Sequence, residues 1–107
     1  MTSLNDREKA SEDKYARDEK LKFKATARRN KLVGLWAADL FGFDVTAAAE
    51  YAKTVVIADL EEVGDADVIS KLVADFATHK VEMSQHRIEK ALMENMGIAL
   101  KQVEAEV

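Results

Sequence analysis

DREKASEDKYARDEKLKFKATARRNK, residues 6–31, runs directly into LVGLWAADLF, residues 32–41. Proline is absent from both halves and Gly34 is isolated, so nothing stops a helix before Gly42. The spacing predicts one helix over residues 5–41, about 55 Å long at the standard rise. Asn5 with Glu8, or Ser3 with Asp6, resembles a capping box at its start. Asp13–Arg17 and Asp18–Lys22 are acid-before-base pairs at four-residue spacing, each worth a few tenths of a kcal/mol. The two halves differ in what they can bury. Before Leu21 the large apolar residues are Leu4 and Tyr15, whereas Leu21, Ala25, Leu32, Leu35, Trp36 and Leu40 form a core stripe. The first twenty residues are therefore expected to project from the fold and fray, since isolated helices of that length are marginal. Gly34, which costs about 1 kcal/mol relative to alanine, offers room for close helix packing.

Working outward, Gly42 ends the first helix and Asp44 or Thr46 caps a second. Its apolar residues recur at helical spacing from Val45 through Val55 to Leu60 and Val63. Gly64 is the next stop, Asp65 or Asp67 the next cap, and Val68, Ile69, Leu72, Val73 and Phe76 line a short third helix. A fourth begins at Ser84, where Met83 and Ile88 fit a hydrophobic staple. Its stripe is Ile88, Leu92, Met96, Ala99 and Val103. Short loops between four helices imply a largely antiparallel bundle. The fold class expected is all-α: a four-helix bundle with a projecting, partly disordered N-terminal helical arm. Residues 1–20 are the arm and residues 21–107 the body.

Composition agrees. The 107 residues suit one domain, and with no proline, four glycines and no alternating stretch there is little to build a sheet from. The absence of cysteine excludes disulfides and thiolate metal sites. No apolar run approaches the roughly 18 residues of a membrane span, and the charged, acid-containing N-terminus is unlike a signal peptide or presequence. A cytoplasmic location is the simplest expectation. The net charge of −4 hides a polarity. Residues 1–31 hold ten Lys and Arg against six Asp and Glu, and residues 32–107 hold six against fourteen. An arm of one sign on a body of the other has its own electrostatic task.

Constellations for catalysis are weak. His79 lies near a helix end and His86 in a first turn, neither at ligand spacing from the other. The acids of Glu61-Glu62-Val63-Gly64-Asp65-Ala66-Asp67 stop short of a calcium loop, and no metal site is expected. One basic cluster stands out: Lys22, Lys24, Arg28, Arg29 and Lys31, with no acid among them. It reads first as a solvated collar paired with Asp39, Asp59 or Asp75, second as an anion or nucleotide site, because arginine forks suit phosphate, and third as a nucleic-acid contact. An acidic body disfavours the third.

Several blocks together resemble a known family. Asp6-Arg7-Glu8, Asp18-Glu19, Phe23-Lys24-Ala25 and Ala27-Arg28-Arg29-Asn30-Lys31-Leu32, followed by Gly34-Leu35-Trp36-Ala37-Ala38, are similar to the zeta subunit of alphaproteobacterial F-type ATP synthase. Tyr51-Ala52-Lys53 and the Gly64-Asp65 turn with Val68 fit as well, so the similarity covers nearly the whole chain. The resemblance implies a four-helix bundle and a regulatory subunit rather than an enzyme. It implies that the protein binds the catalytic head (alpha and beta subunits, with the gamma stalk), peripheral to the inner membrane, and blocks ATP hydrolysis. By position the inhibitory residues would be Asp6, Arg7, Glu8, Lys14, Tyr15, Asp18 and Glu19, Tyr15 serving as an aromatic anchor. Family members often carry an aromatic where this chain has Ser11, a departure that bears on inhibitory strength. The family is also associated with ADP or ATP as a regulatory ligand; no cofactor is required. Charge alone assigns Arg28, Arg29 and Lys31 to that nucleotide. The alternatives are a nucleotide-sensing helical module with weak or no inhibition, and a nucleic-acid or protein adaptor.

Overall fold

The computed structural model describes the backbone of residues 3–60 and 64–106, and the side chains of residues 18–60 and 64–106. Four helices follow one another: α1 (Ser3–Leu40), α2 (Val45–Ala58), α3 (Ala66–Thr78) and α4 (Gln85–Ala105). No strand occurs among the described residues. Helix α1 is continuous over 38 residues, against 21 for α4, so it must outrun the other helices. The molecule is accordingly 66 Å long and 25 by 21 Å across. The partial disorder expected of residues 1–20 falls largely on side chains outside the described set.

The caps explain where the shorter helices start. The Asp44 side chain accepts from Ala47 N, and the Ser84 side chain from Arg87 N, each satisfying an orphan donor of a first turn. Gly42, at φ +81°, supplies the left-handed residue that closes α1. Helix α2 stops at Ala58 with Asp59 as its C-cap, so the apolar periodicity running on to Leu60 overstates its length. Asp65 precedes α3 but makes no side-chain cap bond, because its carboxylate is engaged elsewhere.

Helix α1 lies between α2 and α4, and α3 closes the far side against both. The main core joins Val33, Ala37, Val55, Val68, Leu72, Phe76, Ile88 and Leu92. Burying such a side chain stabilises the fold by about 1.5–3 kcal/mol for the larger ones. Met83 packs against this core, to which buried Ile88 also belongs. A second cluster, Ala25 with Ala99 and Val103, zips α1 to α4 towards the arm, with Leu21, Leu32 and Met96 at its edge.

The buried face of α1 differs from the expected stripe. Leu40 is 42% exposed, while Val33, Gly34, Ala37 and Ala38 are buried, together with Arg29 and Asn30. A helix flanked on two sides needs a wide face. Small residues supply it, since they let the neighbouring backbones approach. A Cβ on Gly34 would lie 2.7 Å from the Ala52 Cα and 3.1 Å from its Cβ. The close α1–α2 crossing therefore depends on the glycine.

Candidate functional site

Of the arm residues singled out in the sequence, Asp6, Arg7, Glu8, Lys14 and Tyr15 lie outside the described side chains, although their backbone belongs to α1. Asp18 and Glu19 are described and exposed. Glu19 is one of the residues lining a cleft of about 860 Å³ where α1, the end of α2 and the turn before α3 meet.

The basic cluster does not act as one patch. On a helix, successive residues point about 100° apart, and the structure sends Arg28 and Arg29 to different partners. Arg28 reaches the end of α4, donating to Glu106 Oε1 at 2.6 Å and to Gln102 Oε1 at 3.0 Å. This half-exposed pair contributes about 0–1 kcal/mol. Arg29 turns inward and is only 5% exposed. Its Nε and Nη2 donate to Asn30 Oδ1 at 3.0 and 2.9 Å, and Nη2 also donates to Asp65 Oδ1 at 2.9 Å. That ion pair ties α1 to the turn before α3 and explains the missing cap bond at Asp65. Lys22, Lys24 and Lys31 are exposed. The acids that the collar meets are thus Asp65 and Glu106 rather than Asp39, Asp59 or Asp75. Asp75 instead accepts from Tyr51 Oη at 2.7 Å and Lys71 Nζ at 2.9 Å.

Arg29 and Asn30 both line the 860 Å³ cleft, with Lys22, Phe23, Asp59 and Met96 among its walls. Arg28 and Lys31 do not line it. Because Asn30 Oδ1 is turned to the guanidinium, its Nδ2 is left without a hydrogen-bond partner among the described residues. An unsatisfied buried donor costs about 1–3 kcal/mol. The cleft's acids, Glu19, Asp59 and Asp65, outnumber its cations Lys22 and Arg29. In the sequence Asn30 stood out only as part of the family-like run and not as a candidate site residue. Its signal was faint: a polar residue next to Arg29 and one turn before Gly34.

Elsewhere, the Tyr51 hydroxyl is pushed well above its ordinary value, first by burial and then by its bond to Asp75 and that carboxylate's charge. His79 caps the C-terminus of α3 and stacks on Phe41, ring centroids 4.3 Å apart. His86 is exposed in the first turn of α4. No group of three His, Cys, Asp or Glu side chains comes together among the described residues. Glu61 and Glu62 of the acidic run lie outside that set. No described helix is long and apolar enough to cross a membrane.

Comparison with known proteins places these features in a lineage. The model of a family described as ATPase inhibitor subunit zeta matches residues 1–102. A structure solved by solution NMR is similar, with 37% identity, a TM-score of 0.72, and coverage of 81% of this chain and 99% of that one. None of the curated proteins matches.

Proposed function

The chain belongs to the ATPase inhibitor subunit zeta family, and on that premise we propose that it is a non-catalytic regulator whose N-terminal arm docks on the catalytic head of F-type ATP synthase and stops hydrolysis. The observation that carries this reading is the extent of the family match, which begins at residue 1 and so includes the arm. Physical chemistry supports the same division of labour. The body from residue 21 buries its own apolar face, whereas residues 1–20 hold too few apolar residues to fold inward. The contacts of the arm would come from Asp6, Arg7, Glu8, Lys14, Tyr15, Asp18 and Glu19, the last two being exposed at its root. Ordering side chains along such an arm costs conformational entropy, so the contact must be extensive. Its place is the cytoplasmic face of the membrane, peripheral and held through the enzyme. Full-length protein added to isolated ATPase is expected to slow ATP hydrolysis. Undiminished hydrolysis at saturating binding would remove the claim.

Modulation by ADP or ATP belongs to the same reading, and the cleft favours it with two features. Its volume of about 860 Å³ is within the range of small-molecule sites, and Asn30 brings an unpaired amide donor beside Arg29. Of the three residues assigned on charge, Arg29 alone lines the cleft and would be the one to meet a phosphate there; Arg28 and Lys31 would serve through the field around the cleft. A nucleotide would have to take Arg29 from Asp65. Binding is therefore expected to be weak, and Asp65→Asn is expected to tighten it by freeing the guanidinium. Amide shifts during an ADP titration measure both. Absence of any shift at millimolar ADP in either protein would exclude the site.

A further inference from the structure

We propose that the groove between α3 and α4 around Gly97 is a second docking surface, occupied by an apolar-faced helix of the ATPase that carries a basic side chain. The proposal rests on the reading of this chain as an ATPase-binding regulator. Gly97 stands in the interior of α4, where glycine weakens a helix relative to alanine. Nothing among the described residues accounts for it. A Cβ added there would meet no atom of the described residues within 4 Å, unlike Gly34, whose small size the packing of α2 requires. A glycine in open space makes sense where another backbone comes close from outside.

The surroundings of Gly97 fit such a visitor. Met93, one turn earlier on the same face, is 70% exposed, and Leu100, nearly one turn later, is exposed as well. Met93, with Met96, Leu92 and Ile69, floors a groove of about 370 Å³, and Leu100 stands outside it. Methionines adapt to an incoming surface at little cost in strain. The charges on the rim are Glu89 and Asp65 against Arg29. Asp65 and Arg29 already neutralise each other at 2.9 Å, so the uncompensated charge is that of Glu89, which calls for a basic side chain on the partner. The groove shares Arg29, Asp65 and Met96 with the cleft that Glu19 and Phe23 also line. A partner holding the arm thus meets one continuous surface leading from the arm's root to Gly97, and Phe23 at that root is 67% exposed.

The test separates stability from docking in the full-length protein. Gly97→Ala and Gly97→Leu are both expected to raise the thermal midpoint, by roughly 4–8 °C at the scale of a small domain, because each favours helix and the added Cβ meets no described neighbour. Gly97→Leu is nevertheless expected to weaken binding to isolated ATPase by at least about tenfold, and Gly97→Ala by less. Saturating Gly97→Leu protein should still inhibit fully, since the arm is intact. Unchanged affinity for Gly97→Leu would overturn the proposal. If that variant loses stability instead, Met93→Glu reads the same face: weakened binding supports it and unchanged binding overturns it. A dimer seen by sedimentation and dissolved by Gly97→Leu would make the occupant a second copy of this chain, which also overturns it. Failure of the unaltered protein to bind ATPase would remove the functional reading itself, and this inference with it.

Discussion

Gly34 and Gly97 are the same residue in the same setting, a helix interior, and only the structure distinguishes them. Gly34 faces Ala52 so closely that any side chain must displace backbone. Gly34→Ala gains about 1 kcal/mol in helix propensity but overpacks the crossing, at about 1–3 kcal/mol. A net loss of up to about 2 kcal/mol is expected in denaturant unfolding. A stabilised variant would show that the α1–α2 contact yields easily. The buried face of α1 taught the same lesson. Its apolar stripe was legible and correctly included Ala25, yet much of what else is buried is Ala37, Ala38, Arg29 and Asn30. Small and polar residues leave no apolar periodicity, so their burial follows from helices on both sides rather than from local pattern. The charge of Arg29 marked it as a binding residue. Its ion pair with Asp65 is a long-range contact that spacing does not encode.

Helix starts and stops were the most readable features at the scale of elements. Gly42, Asp44 and Ser84 act through bonds to residues within a turn, and local chemistry suffices to place them. The end of α2 was less readable, because Leu60 keeps the apolar period after the helix has closed at Ala58; Leu60 is exposed. Helices α2 and α3 are joined by a polar tie, Tyr51 to Asp75 with Lys71 5.2 Å above the Tyr51 ring. Because the folded state holds the Tyr51 proton more tightly than the unfolded chain does, this stabilisation is complete below the ordinary tyrosine value of about 10. It declines as pH rises beyond it. Tyr51→Phe is expected to lose about 1 kcal/mol at neutral pH and to show a shallower fall in thermal midpoint above about pH 10 than the unaltered protein. Parallel pH profiles for the two would show that the tie does not control the hydroxyl.

The whole molecule is an elongated object, 66 Å by 25 by 21 Å, built from a self-sufficient bundle and one helix that outruns it. Its all-α architecture was legible from glycine punctuation and apolar spacing. Its family was legible from the run Ala27 to Ala38, most of which the bundle buries or half-buries. Where the grooves lie was less legible, because those beside Arg29 are made by three or more separated segments. Charge polarity remains the global clue: the basic segment up to Lys31 joins an acidic body, and the surplus of the arm's root is only partly spent on Asp65 and Glu106. The most direct measurement is the rate of ATP hydrolysis by isolated ATPase, titrated with the full-length chain and with a chain lacking residues 2–19. Inhibition by the first, and none by the second while its circular dichroism and cooperative unfolding show an intact bundle, is the expected result. Equal inhibition by both would contradict the assignment of the arm as the inhibitory element.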